Sequence, residues 1–113
     1  MDNNTIYQQS SIGRRLVKVQ KPVARVLSFN NKNIPLISKI SIGRDRKNSI
    51  VIENAMVSRH HAIIQKIKTD YYIKDLESSN GTFVNNKAVP KEKFVKIAPG
   101  DSIKIGNSSL IFK

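Results

Sequence analysis

Apolar residues in this chain recur in short runs broken every few positions by turn-forming residues. Val23 to Phe29 is rich in β-branched and apolar side chains, and Asn30-Asn31-Lys32-Asn33 reads as a turn. Ile34 to Ile37 is a short return strand carrying Pro35, which suits a sheet edge. Ile40 and Ile42 alternate with Ser41 until Gly43 ends the run, and Ser49 to Ile52 is a further apolar stretch. The segments His61–Lys68 and Tyr71–Leu76 predict two strands joined through Thr69-Asp70, and Thr82-Phe83-Val84 follows the turn signal Asn80-Gly81. Asn85-Asn86-Lys87 reads as a turn, Phe94–Ile97 alternates loosely, and Pro99-Gly100-Asp101 turns the chain again. Ile103 and Ile105, then Leu110 and Phe112, alternate with polar residues on either side of Gly106-Asn107-Ser108.

Nowhere does an apolar stripe hold helical spacing for the 11 or so residues a helix requires. About ten short strands with frequent turns predict an all-β fold, a sandwich of two sheets. No fixed-period repeat points to a propeller or solenoid.

Residues 1–22 differ from the rest. Asp2-Asn3-Asn4-Thr5 and Gln8-Gln9-Ser10-Ser11 are polar, Arg14 to Lys21 is basic, and Pro22 interrupts. The expected division is therefore a flexible basic arm over 1–22, with one edge strand between Leu16 and Val19, and a folded domain over 23–113.

A chain of 113 residues makes one domain with a modest core. There is no cysteine, so disulfides and thiolate metal sites are excluded. No run of 18 or more apolar residues predicts a membrane span, and the start lacks the basic and apolar blocks of a signal peptide; the expected location is cytoplasmic. The net charge of +12 favours anionic partners such as nucleic acid, phosphorylated protein or anionic lipid, although lysines also serve to keep strand edges soluble.

Catalytic and metal readings fail on spacing. Ser58, His60 and His61 are close in sequence, with Asp75 and Asp101 available, but neighbours on an extended chain alternate faces, and no Gly-x-Ser-x-Gly elbow is present. The adjacent histidines cannot share an ion without backbone distortion, and no nearby carboxylates complete a zinc or calcium set. One histidine is expected to be buried and hydrogen-bonded and the other solvated. No GxxxxGK[ST] phosphate loop occurs, and Gly43-Arg44 is too short for a dinucleotide fingerprint.

A different set of residues remains. Arg44, Ser58 and Arg59 sit in separate loop segments that a sandwich can bring to one end. An arginine fork matches phosphate oxygens, and serine hydroxyls add donors. Asn80 carries both a donor and an acceptor, suited to gripping the main chain of an extended peptide. Ser78, Ser79, Asn80 and Gly81 read equally as turn chemistry, and Ser58 as a cap of its own loop, when each is taken alone.

Taken in order, Gly43-Arg44, Ser58-Arg59-x-His61-Ala62, Asp75-Leu76-x-Ser78-Ser79-Asn80-Gly81-Thr82 with Val84-Asn85, and Gly100-Asp101-x-Ile103-x-Ile105-Gly106 resemble a forkhead-associated (FHA) domain over about residues 23–113. The resemblance implies an eleven-stranded, mostly antiparallel twisted β-sandwich. It implies a non-catalytic module, with no cofactor and no metal, that reads phosphothreonine peptides with loops at one end. Such phosphopeptide recognition serves protein–protein interaction and signal transduction downstream of Ser/Thr kinases. By position, Arg44 and Ser58 contact the phosphate, and Arg59 reaches the phosphate or the peptide backbone. Ser79 lines the phosphothreonine pocket and Asn80 bonds the peptide main chain. Gly43, His61 and Gly81 shape the loops, and Asp75 belongs to the scaffold. The loops after Arg44, before Ser58 and around Asn85-Asn86 set flanking preference. Some members carry a basic residue two places before the serine, where this chain has Met56; Arg46 and Lys47 could add long-range attraction.

Two other partner readings follow from the chain itself. A basic nucleic-acid-binding domain, or a phosphate-independent scaffold, is the alternative function. Phosphorylation of Thr5 would let the arm occupy its own socket or that of a second copy.

Overall fold

The computed structural model describes residues 25–113. The arm of residues 1–22, with its expected edge strand between Leu16 and Val19 and with Thr5, lies outside the described residues, as does the boundary at 23.

Eleven strands follow one another: β1 Val26–Phe29, β2 Lys32–Pro35, β3 Lys39–Gly43, β4 Ile50–Val51, β5 Ala62–Ile67, β6 Asp70–Asp75, β7 Thr82–Val84, β8 Lys87–Ala88, β9 Phe94–Ile97, β10 Ser102–Ile105 and β11 Ser108–Phe112. They form a six-stranded sheet in the order β2-β1-β11-β10-β7-β8 and a five-stranded sheet in the order β4-β3-β5-β6-β9. Among the described residues no helix occurs, and every pairing between these strands is antiparallel except that of β3 with β4. Pro35 lies on the outermost strand, where its missing N–H costs no ladder bond.

The alternation read along the chain is the inside–outside alternation of these strands. Ile40 and Ile42 of β3, Ile64 of β5 and Ile73 of β6 face inward from one sheet; Leu27, Ile103, Ile105, Leu110 and Phe112 face inward from the other. Each such side chain contributes about 1.5–3 kcal/mol by leaving water. Tyr71 and Phe112 join the two layers, with ring centroids 5.2 Å apart and planes tilted by 55°.

Turns fall within a residue or two of where the sequence puts them. Asn30 and Asn31, with φ of 52° and 62°, form a two-residue hairpin, so Lys32 and Asn33 already belong to β2. Asn85 and Asn86 repeat the arrangement with φ of 50° and 69°, which leaves Lys87 in β8. The β5–β6 connection is Lys68-Thr69, not Thr69-Asp70: Asp70 pairs with Ile67, and that register sets Ile64 opposite Ile73 so that both face the core. Asn80-Gly81 makes no hairpin, because β6 and β7 belong to different sheets and the segment between them crosses from one layer to the other.

This topology sets the site. β3, β4 and β6 end where β5 and β7 begin, so the segments 44–49, 52–61 and 76–81 cluster at one end of the sandwich.

Candidate phosphopeptide site

Two loops are laced together first. The β3–β4 loop meets the end of the β4–β5 loop through Arg44 N–H donating to the Ser58 carbonyl at 3.0 Å and Asp45 N–H donating to the Arg59 carbonyl at 3.2 Å. Asn48, largely buried, donates from Nδ2 to that same Arg59 carbonyl at 2.7 Å and to the Asp45 carbonyl at 2.9 Å. Gly43 makes the approach possible. A Cβ there would fall well inside contact distance of the Arg59 carbonyl oxygen and 2.7 Å from Asn48 Nδ2.

The β4–β5 loop is shaped by Asn54. Its Oδ1 accepts from the Met56 N–H at 2.8 Å and its carbonyl from the Val57 N–H at 2.9 Å, a local side-chain turn that holds the next carbonyls in place. Arg44 donates from Nε to the Val57 carbonyl at 3.0 Å. That bond fixes the guanidinium plane, and among the described residues its terminal nitrogens have no protein partner.

Ser58 joins a third loop to these two. Its Oγ accepts from the Ser79 N–H at 3.0 Å, so its own hydroxyl proton is left to donate elsewhere. Asn80 donates from Nδ2 to the Met56 carbonyl at 2.8 Å, which leaves Oδ1 as an acceptor.

Beneath them lies His61, with no exposed surface. Its Nδ1 accepts from the Ser58 N–H at 3.0 Å, so the proton is on Nε2, which donates to the Gly81 carbonyl at 2.9 Å. His60 is exposed. The expected split between the two histidines is what the structure has.

The segment 76–81 has a buried support of its own. Asp75 Oδ1 accepts from Ser78 Oγ at 2.5 Å and Thr82 Oγ1 at 2.7 Å, while Oδ2 accepts from the Ser78 N–H at 3.1 Å. Ser78 Oγ in turn accepts from the Gly81 N–H at 3.0 Å. Gly81 holds φ at +84°, a conformation that glycine adopts without cost. Asp75 is a scaffold residue, and Ser78 is turn chemistry.

The outcome is a single open cavity of about 260 Å³ lined by Arg44, Ala55, Met56, Val57, Ser58, Arg59, Ser79 and Asn80. All five residues singled out for ligand contact line it, brought together from three loops. Met56, 41% exposed, forms part of the cavity wall. The Asn85-Asn86 turn lies beyond the far end of β7 and does not line the cavity; Asn85 donates from Nδ2 to Asp101 at 3.0 Å and accepts from the Ser102 N–H at 3.0 Å. Asp45 follows Arg44 on the β3–β4 loop. The Lys47 N–H, 2.8 Å from its Oδ1, holds its carboxyl below the usual aspartate range, with lesser help from His60, Lys47 and Arg59 as positive charges.

Asn48 and Thr82 are structural partners to which the sequence assigns no role. Thr82 at least stands within a motif, whereas Asn48 carries no local signal. Its function depends on a carbonyl 11 residues away.

The family model for the FHA domain matches residues 40–106. The chain belongs to the FHA domain family. This FHA domain is similar over 72 residues to the transcriptional regulatory protein EmbR of Mycobacterium tuberculosis, at 42% identity covering 64% of this chain and 18% of EmbR. It is 40% identical over 75 residues to an FHA domain-containing protein of Arabidopsis thaliana, covering 66% of this chain and 19% of that protein. The chain thus spans about a fifth of the length of these relatives. Among solved structures, EmbR of M. tuberculosis in complex with a low-affinity phosphopeptide superimposes with a TM-score of 0.75 at 35% identity, over 80% of this chain and 24% of that one. The MEK1 FHA domain bound to a HOP1 phosphothreonine peptide superimposes with a TM-score of 0.73 at 26% identity, over 80% of this chain and 96% of that one.

Proposed function

We propose that this FHA domain is a non-catalytic phosphothreonine-peptide-binding module that recruits a protein phosphorylated by a Ser/Thr kinase, in the cytoplasm. The observation that carries the reading is the convergence of Arg44, Ser58, Arg59, Ser79 and Asn80 on one polar cavity. The phosphopeptide complexes of the structural relatives support it.

The chemistry follows from what each group has left to give. Phosphothreonine brings about −1.5 to −2 charges and three acceptor oxygens. Arg44 offers its terminal nitrogens with the guanidinium already oriented, and Ser58 offers its hydroxyl proton. Arg59 adds a second cation, and Ser79 lines the threonine side of the pocket. Asn80 presents Oδ1 to a peptide N–H. Each charge-assisted hydrogen bond contributes about 1.5–3 kcal/mol; less the cost of ordering a peptide, three or four of them correspond to micromolar affinity.

Acyl-transfer chemistry is disfavoured by the same bonds. His61 Nδ1 accepts from the main-chain N–H of Ser58 and Nε2 donates to the Gly81 carbonyl, so neither nitrogen is turned to the Ser58 hydroxyl as a base. We keep the division into an arm over 1–22 and a domain over 23–113; the family match at 40–106 and the start of β1 at Val26 support it.

The test is titration of matched phosphothreonine, phosphoserine and unmodified threonine peptides against the wild type and Arg44→Ala. Binding is expected for the phosphothreonine form only, weakened tenfold or more in the variant. Equal binding of phosphorylated and plain peptides, or indifference to Arg44, overturns the reading.

A further inference from the structure

Of the strands that end the two sheets, only β9 is not blunted. β2 carries Pro35, and β4 and β8 are two residues long. β9 is Phe94–Ile97, without proline, and among the described residues β6 is its one neighbour in the sheet. In an antiparallel pair, alternate main-chain N–H and C=O groups point away from the partner, so β9 presents unpaired groups along its outer side. Such an edge is a template for a further strand.

The edge borders an apolar cleft. Val84, Ala88, Val89, Pro90 and Val95 line a cavity of about 390 Å³ where β9 faces the β7–β8 hairpin. A second cavity, of about 270 Å³, is lined by Ile97, Pro99, Phe112 and Arg25, and the two cavities share Lys96. Charge is balanced along them, with Lys87 and Lys96 and the terminating Arg25 set against Asp70 and Asp101, so the cleft is no anion site. On the other face of β9, Phe94 is 41% exposed, its ring centroid 6.4 Å from that of Tyr72. Arg25 is where the chain enters the described structure, so the arm leads off from one end of this cleft.

We infer that the arm segment Leu16–Val19 adds to the free edge of β9 as a sixth strand of its sheet, with Val17 and Val19 turned into the cleft. The five residues between Val19 and Arg25 reach about 20 Å when extended. That exceeds the length of β9 itself, about 13 Å. A strand leading to Arg25 along this edge runs parallel to β9, with Leu16 at the Phe94 end and Val19 at the Ile97 end. Strand alternation then sets Val17 and Val19 on the face of Val95 and Ile97, and Leu16 on the face of the exposed Phe94. The tether gives the segment an effective concentration of about millimolar, so weak pairing is enough to hold it. The net charge of +12 opposes the same contact from a second copy.

Amide hydrogen exchange on the full chain tests this, comparing the wild type with Val17→Asp/Val19→Asp. The β9 amides that point away from β6 are expected to exchange at least about tenfold faster in the variant, while those bonded to β6 keep their protection. Outward β9 amides that exchange equally fast in both proteins overturn the inference. A second measurement places the arm directly. The chain has no cysteine, so Arg15→Cys offers a single thiol for a nitroxide label. Broadening centred on the amides of Val89, Phe94 and Val95 is expected; broadening centred elsewhere, or spread evenly over the domain, overturns the proposal. Mixing labelled protein with unlabelled, isotope-enriched protein tells whose arm is bound. Broadening that survives at full strength between molecules assigns the edge to a second copy's arm and overturns the intramolecular strand.

Discussion

His61 Nε2 donates to the carbonyl of Gly81, 20 residues further along the chain, at 2.9 Å. Since the same ring accepts from the Ser58 N–H, one buried side chain holds the loop that carries Ser58 and the loop that carries Ser79 and Asn80 at a set distance. His61→Phe keeps most of the volume and removes both bonds. It leaves a donor and an acceptor unsatisfied, and is expected to cost about 2–4 kcal/mol of stability, read from the urea midpoint. Amide shifts of Ser79 and Asn80 should move with it; an unchanged midpoint would show that the ring acts as filler.

Gly43 separates a packing requirement from a turn requirement. Its backbone is not in the left-handed region, and what demands glycine is the Arg59 carbonyl lying against its α-carbon. Gly43→Ala forces the two laced loops apart, at an expected cost of about 1–3 kcal/mol. Phosphopeptide affinity should fall with it, by tenfold or more if the loops lose their register. Wild-type affinity in a stably folded variant would contradict the role.

Asp75 accepts three hydrogen bonds in a place with no exposed surface. Asp75→Ala leaves three donors without an acceptor and should cost about 3 kcal/mol or more in urea unfolding. Asp75→Asn is expected to be milder, about 1–2 kcal/mol, because a flipped amide can donate to the Ser78 and Thr82 hydroxyls while its oxygen still accepts from the Ser78 N–H. The order Ala worse than Asn is the prediction; the reverse order would deny the network.

Asp45 supplies a pH signature. The Lys47 N–H lowers its carboxyl relative to the unfolded chain, so the brace is fully present above the ordinary aspartate value of about 4 and is lost as pH falls through the lower folded value. The melting temperature of Asp45→Ala should therefore lie below that of the wild type at neutral pH, with the two converging as the solution is taken below about pH 4. A difference that persists unchanged into acid would assign the residue another role.

The order of apolar and polar positions was enough to determine that this chain is all-β, because strand alternation is a local property that burial of one face imposes on every second residue. It also singled out the loops that meet at one cavity, since Arg44, Ser58, Arg59, Ser79 and Asn80 are arranged in family order along the chain and all line it. Some turn positions escaped it by one residue: Lys68-Thr69 displaces Thr69-Asp70 because the pairing of Ile64 with Ile73, not the local turn chemistry, sets the register. Only the tertiary structure decided how those loops are held. The contacts that do so, Asn48 to Arg59, His61 to Gly81 and Ser58 to Ser79, span 11 to 21 residues, and a hydrogen bond across such a distance exists only once two sheets have packed and brought their ends together. The same packing brought Arg44 and Arg59 to one cavity, a property of position in space that net charge does not contain.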